Sequence, residues 1–120
     1  MISKRLEDFL SFLRETEEAY NMASADVQDA ENATQDILHS LELGKHNYHE
    51  MAHLSKKLRG VRQKRRAAKD ILLQSEPIIT WLENNQPTVK GLERLLGEVR
   101  KAENRTQNRT YIPKTDVMEE

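Results

Sequence analysis

The chain contains no cysteine. Disulfide bonds and thiolate metal sites are therefore excluded, and the absence is compatible with a reducing compartment. No apolar run approaches the roughly twenty residues that a membrane-spanning helix needs. The first residues carry charges at Lys4, Arg5, Glu7 and Asp8, unlike a secretory signal peptide. We therefore expect a soluble, cytoplasmic protein that does not bind a membrane.

Aromatic residues are scarce, and residues 2–43 contain neither glycine nor proline. Because 37% of the residues are hydrophobic and 32% are charged, the composition is typical of long helices with a narrow buried stripe. A 3,4 spacing of apolar and small residues predicts one helix over 2–43, about 60 Å long. The stripe, called the seam below, has coiled-coil spacing. It consists of Ile2, Leu6, Phe9, Leu13, Thr16, Tyr20, Ala23, Val27, Ala30, Thr34, Ile37 and Leu41.

A tight turn is expected after the first helix. Gly44 fits the position that follows a helix C-terminus, where a positive φ is needed. Asn47 can cap the next helix, and Glu50 follows it three residues later, as in a capping box.

The second helix keeps the 3,4 spacing but contains Pro77. Because proline removes one helical hydrogen bond, we expect a kink or short break near 75–77. Thr88 can cap a third helix after a short loop. The expected organisation is a single helical domain, 1–120, with helices over 2–43, 48–85 and 88–104 and a tail over 105–120.

The predicted fold is all-α. Two long helices of similar length joined by a short turn predict an antiparallel, coiled-coil-like hairpin. The short third helix would cover the open end and form a three-helix head. Because the rest of the hairpin pairs mainly small residues such as Ala23 and Ala30, we expect a homo-oligomer to cover its other flank. Phe12, Leu38 and Leu73 lie off the seam and are candidates for that surface.

Charge is segregated along the chain, although the net charge is −1. Residues 1–43 carry ten acidic and three basic side chains, whereas residues 44–74 carry nine basic and two acidic ones. Eight of the fourteen residues from Lys56 to Lys69 are basic. On a helix, 3,4,3 spacing aligns four of them along one flank beside the seam. This set, called the basic row below, is Arg59, Arg62, Arg66 and Lys69.

The basic row predicts a phosphate-bearing ligand, because guanidinium groups bind phosphates through paired hydrogen bonds. Arg65 lies between the row and the seam, and two such sets brought together in an oligomer would attract anions strongly. Tyr111 in the tail could stack on a base. The ligand-binding candidates are therefore Arg59, Arg62, Arg65, Arg66, Lys69 and Tyr111.

An alternative interpretation gives these cations a structural role. If the turn is centred near residue 45, Asp26 and Asp29 lie opposite Arg65 and Arg62, so the charges would be partners within one chain. Exposed pairs of this kind contribute only about 0–1 kcal/mol each.

Four histidines lie near the turn, and His49 and His53 have the i, i+4 spacing of metal ligands on a helix. A solvated polar tip is the favoured interpretation of the cluster, and we predict no metal and no cofactor. The sequence has no phosphate-binding glycine-rich loop and no catalytic motif. We therefore expect a protein that is not an enzyme.

The segments QDILHSLELG and KKLRGVRQKRRAAKDILLQSEPIITWL resemble small helical proteins carried by phages and prophages of Bacillus-type bacteria. In those proteins a Leu-His turn precedes an Arg-Arg-x-x-Lys-Asp helix and a short tail with Tyr and Pro. The resemblance covers about the last two-thirds of the chain. The matching residues here are Leu38, His39, Leu41, Arg65, Arg66, Lys69, Asp70 and Tyr111.

The resemblance implies no single activity, but small accessory phage proteins often counter host defence. Some bind a cyclic nucleotide signal, and others block a defence protein. We therefore expect an oligomeric anti-defence protein, in the host cytoplasm if phage-encoded, that sequesters an anionic nucleotide through the basic row. The alternatives are a module that docks on a host defence protein and a DNA-binding helical dimer. The acidic first helix disfavours DNA, because it would repel a duplex.

Overall fold

The computed structural model describes residues 1–109, and within that range it contains three α-helices and no strand. They are α1 (Ile2–Leu43), α2 (Tyr48–Asn84) and α3 (Gln86–Gln107). The all-α prediction is confirmed. None of these helices has an apolar stretch long enough to cross a membrane.

The described chain divides into two compact units. One unit combines Met1–Leu10 with α3, and the other is Ser11–Asn85. The boundary falls inside α1, so the first nine residues of that helix pack in a unit with α3.

Small side chains dominate the buried positions of the Ser11–Asn85 unit. Ala23 is the least exposed of them, at 2%, and no large side chain is fully buried. Alanine at the contact lets two helix backbones approach closely but removes little apolar surface from water. The buried residues of this unit are Leu13, Ala23, Ala30, Thr34, Ile37 and Ala68.

The start of α1 is held by a carboxylate from α3. The Ser3 backbone N–H donates to Glu103 Oε2 at 3.2 Å, and hydrogen bonds from the side chain and backbone of Ser3 lower the pKa of Glu103. A carboxylate suits this position because the first N–H groups of a helix lack intrahelical acceptors. Arg100 Nη2 also lies 3.2 Å from Glu7 Oε2. Polar contacts thus supplement the thin apolar contribution of this unit, in which Leu10 and Leu96 are buried.

Of the kink or short break expected near 75–77, the break is absent, because α2 continues through Pro77. Proline at this position leaves the carbonyl of Leu73 without its helical donor. Leu73 is 67% exposed, so that carbonyl lies on a face open to water and the missing bond does not end the helix.

The expected loop before α3 is also shorter than predicted. Only Asn85 separates the last two helices, and its side chain donates to the Trp81 carbonyl at 2.8 Å. Gln86 begins α3, so Pro87 occupies the first turn, where a missing N–H costs nothing. Thr88 therefore lies within the helix and is not its cap.

Candidate functional site

All four side chains of the basic row are exposed, and they lie on one flank of α2. The row spans ten residues of helix, or about 15 Å. Within residues 1–109, none of the four cations makes a hydrogen bond, and none has a carboxylate oxygen within 4.0 Å. The flank therefore presents four cations that the described residues leave uncompensated at short range.

Arg65 differs from the basic row because it is already engaged. Its Nε and Nη2 atoms donate to the same Glu31 oxygen, Oε1, at 3.4 and 3.3 Å. The Arg65 side chain is 25% exposed and that of Glu31 45%, so the pair is partly solvated and contributes about 0–1 kcal/mol. A phosphate would have to compete with Glu31 to bind Arg65.

The predicted acidic partner of Arg65 was wrong. Asp26 was expected opposite it, but the observed partner, Glu31, lies five positions further along α1. That offset exceeds one helical turn of 3.6 residues, so the charge pattern alone did not predict the register. Asp26 and Asp29 instead line a groove with Lys64, away from the basic row.

His46 connects the two sides of the turn between α1 and α2. Its Nε2 atom lies 2.7 Å from the Ser40 carbonyl oxygen, and its Nδ1 atom lies 3.2 Å from Glu50 Oε2. Both partners accept hydrogen bonds, so together they favour the doubly protonated imidazolium. The Ser40 carbonyl, followed by the Glu50 carboxylate, accordingly raises the pKa of His46.

Gly44 is required at the turn for a reason other than the one predicted. No residue in the described part of the chain has a positive φ. A Cβ added at Gly44 would instead overlap His46 Nε2 and lie 2.7 Å from the Ser40 carbonyl oxygen. Glycine thus leaves room for the imidazole, and the Gly-x-His spacing is the sequence signal for this contact.

Asn47 caps α2 as predicted, but the second hydrogen bond of a capping box is not formed. Asn47 Oδ1 accepts from the Glu50 backbone N–H at 2.8 Å, as an N-cap should. In a full capping box the Glu50 carboxylate would return to Asn47, but here it accepts from His46.

Ser40, His46 and Glu50 have the connectivity of a hydrolase triad. Ser40 Oγ lies 3.2 Å from His46 Nε2, and Glu50 is bound to the other ring nitrogen. A general base must offer an unprotonated Nε2 to the hydroxyl. Here the shorter contact of Nε2 is with a carbonyl, which can only accept, so Nε2 carries a proton. The arrangement fastens the turn and does not activate Ser40.

His49 and His53 line a groove of about 410 Å³ together with His46 and Glu50. Among the described residues, no group of three or more His, Cys, Asp or Glu side chains is placed to hold a metal ion. The i, i+4 pair alone supplies two ligands, fewer than the three protein ligands of even an open zinc site.

Tyr111, the remaining ligand-binding candidate, lies outside the described residues. Comparison with known proteins found no family model that matches the chain, and no curated protein or solved structure that is similar to it. Its function is therefore inferred from its own residues.

The His46 contacts predict a pH-dependent stability. Because the folded pKa is raised, their contribution is fully present below the ordinary histidine pKa of about 6.5 and is lost as the pH rises through the folded value. Urea unfolding followed from about pH 6 to about pH 9 should show this loss. In His46→Gln the loss should be smaller.

The neighbouring variant His49→Gln is the matched control, because His49 is exposed and makes no hydrogen bond within residues 1–109. It should keep the pH profile of the unmodified chain. Identical profiles for the unmodified chain and His46→Gln would contradict the assignment.

Proposed function

We propose that the protein is a non-enzymatic binding protein that captures an anionic, phosphate-bearing nucleotide through the basic row of α2. It does so as a homo-oligomer in which α1 and α2 form an antiparallel hairpin. The supporting observation is that Arg59, Arg62, Arg66 and Lys69 are exposed, aligned and uncompensated at short range by the described residues. Cations held only to pair with α1 would have carboxylates beside them, as Arg65 has.

The spacing of the row favours a ligand with more than one phosphate. Adjacent members are three or four residues apart, which places their side chains about 5–6 Å from one another at the helix surface. A cyclic dinucleotide or another short nucleotide with separated phosphates can contact several members at once. Arginine suits this role because its planar fork donates two parallel hydrogen bonds to one phosphate.

Arg65 and Tyr111 complete the proposed site. Arg65 lies at the edge of the row, and a ligand phosphate near Arg62 or Arg66 would compete with Glu31 for it. The proposed biological setting, sequestration of a cyclic nucleotide immune signal by a phage anti-defence protein, is supported only by the resemblance to small phage and prophage proteins.

Isothermal titration with a panel of cyclic mono- and dinucleotides tests the proposal. At least one should bind, and the double variant Arg62→Glu/Arg66→Glu should weaken that binding at least about tenfold, since each charged hydrogen bond contributes about 1.5–3 kcal/mol. The control Lys56→Glu/Lys57→Glu makes the same change in net charge outside the row and should retain binding within about twofold.

Two results would contradict the proposal. One is the absence of heat and of a thermal shift with every nucleotide. The other is an equal loss in both double variants, which would mean that net charge and not the row determines binding. Binding of duplex DNA alone, with affinity that falls steeply with salt, would identify a nucleic-acid ligand instead.

A second candidate function, docking on a host defence protein, is favoured by a separate observation. Phe12, Leu38 and Leu73 are 50%, 46% and 67% exposed, so each offers apolar surface to a partner protein. This function requires no nucleotide, so the titration above distinguishes it from the first.

A further inference from the structure

A groove of about 550 Å³ runs between α1 and α2 within the Ser11–Asn85 unit. Most of its lining residues are apolar and small, so another helix could approach the two backbones closely. The apolar lining residues are Ala30 and Ala33 from α1 and Val61, Ala67, Ala68 and Ile71 from α2.

The two walls of the groove carry opposite charge. Asp26 and Asp29 line the α1 wall, and Lys64 lines the α2 wall. Within residues 1–109, Lys64 has no carboxylate oxygen within 4.0 Å, so these groups do not pair across the groove. The acidic α1 wall can therefore pair with basic side chains of a partner, and the basic α2 wall can pair with acidic ones.

We propose that a second copy of this chain occupies the groove and forms a two-fold symmetric dimer. In such a dimer each copy contributes the same surface. A two-fold axis that runs along the groove places the α1 wall of one copy against the α2 wall of the other, at the same height. Asp26 and Asp29 then meet Lys64 of the second copy, and the reciprocal contact forms as well.

Charge selects this arrangement over the other two-fold arrangement. If the axis crossed the groove, α1 would face α1, and the acidic wall of one copy would meet that of the other. Like charges directly opposed in an interface cost several kcal/mol. The axis along the groove also keeps the two groove linings at the same height, since each lining covers residues 61–71 of α2, about 15 Å at 1.5 Å per residue.

The proposed dimer leaves the basic row free. At 100° per residue, Lys64 lies about 160° around α2 from both Arg62 and Arg66. The groove and the row therefore occupy opposite flanks of one helix, and each copy keeps its own anion site facing outward. The inference names the self-association surface of the proposed homo-oligomer but does not depend on nucleotide binding.

A mixing experiment measured by sedimentation velocity at low salt tests the interface. Lys64→Glu makes both walls acidic, and Asp26→Lys/Asp29→Lys makes both walls basic. Each variant alone should dimerise at least about tenfold more weakly than the unmodified chain, and an equimolar mixture should restore a dimer of one copy of each. Pairing within one chain cannot produce that restoration.

Two controls make the result specific. Lys56→Glu has the same net charge as Lys64→Glu but lies outside the groove, so it should dimerise normally and gain no partner preference. Ala67→Trp should block the groove, whereas Ala52→Trp, on an exposed part of the same helix, should not. Circular dichroism checks that each variant keeps its helices.

A monomeric unmodified chain at every concentration would overturn the inference, as would dimers that tolerate Lys64→Glu and Ala67→Trp. A groove that binds only another protein would give the first result, and a dimer built on a different surface would give the second. Nucleotide titration of Lys64→Glu separates the two proposals, because the variant should lose dimerisation and keep any nucleotide affinity. A dimer without nucleotide binding would refute only the proposed function.

Discussion

Leu13→Ala is expected to lower the free energy of unfolding by about 2–5 kcal/mol. Leu13 is 6% exposed, and truncation removes buried apolar surface and leaves a cavity. The loss is large here because small domains are stable by only about 5–15 kcal/mol. Most other buried positions of its unit hold alanine or threonine, so few large side chains share the apolar contribution. Urea denaturation followed by circular dichroism measures the effect.

The adjacent residue provides the control. Phe12 is larger than Leu13 but is 50% exposed, because it lies off the seam. Phe12→Ala should therefore lower the free energy of unfolding by less than about 1.5 kcal/mol, close to the effect of an ordinary surface change. Measuring both variants at low protein concentration keeps self-association from adding to the difference. An equal cost for the two truncations would show that the seam is misassigned.

The seam could be predicted from sequence because helical periodicity is a local property. Leu13, Ala30 and Ile37 lie at predicted seam positions, and all three are buried. The prediction fails near the start of α1, where Leu10 is buried and Phe9 is 46% exposed. Both are apolar, so spacing alone cannot choose between them. The choice depends on packing with α3, since the first ten residues belong to the unit that contains it.

The register between α1 and α2 was harder to predict than the helices themselves. It depends on contacts between the helices, which the spacing within one helix does not encode. Asp26, Asp29 and Glu31 lie within two turns of α1, so spacing alone does not choose among them, and the structure pairs Arg65 with Glu31. The turn is packed around the His46 imidazole, which contacts both Ser40 and Glu50. A sequence shows the glycine and the histidine, but only the structure shows that one makes room for the other.

For the candidate site too, one feature could be predicted from sequence and another could not. The alignment of the basic row follows from 3,4,3 spacing on one helix, so it was accessible from sequence. Whether its charges are compensated depends on the register of α1 against α2. That register was not accessible from sequence. The observed register pairs Arg65 with Glu31 and sends Asp26 to the groove on the other flank. In this register the basic row and the groove that contains Asp26 lie on different flanks of α2.

Ala23→Leu is the second substitution with a large expected effect. Ala23 is 2% exposed, so a larger side chain has no solvent-facing path and must push neighbouring groups apart. Inserting methylene groups into a packed interior typically costs about 1–3 kcal/mol. Leucine has a helix propensity close to that of alanine, so the cost comes from packing and not from the helix itself. The free energy of unfolding should fall by that amount in urea denaturation.

Ala25→Leu separates packing from composition, because Ala25 lies two residues away on the exposed face of the same helix. It adds the same atoms and should change the free energy of unfolding by less than about 0.5 kcal/mol. If Ala23→Leu were as harmless, the helices would have room at Ala23 and the close approach implied by its burial would be wrong. If it were stabilising, the interior would contain an unfilled space there. Only a cost confined to Ala23 is consistent with helices whose separation is set by alanine.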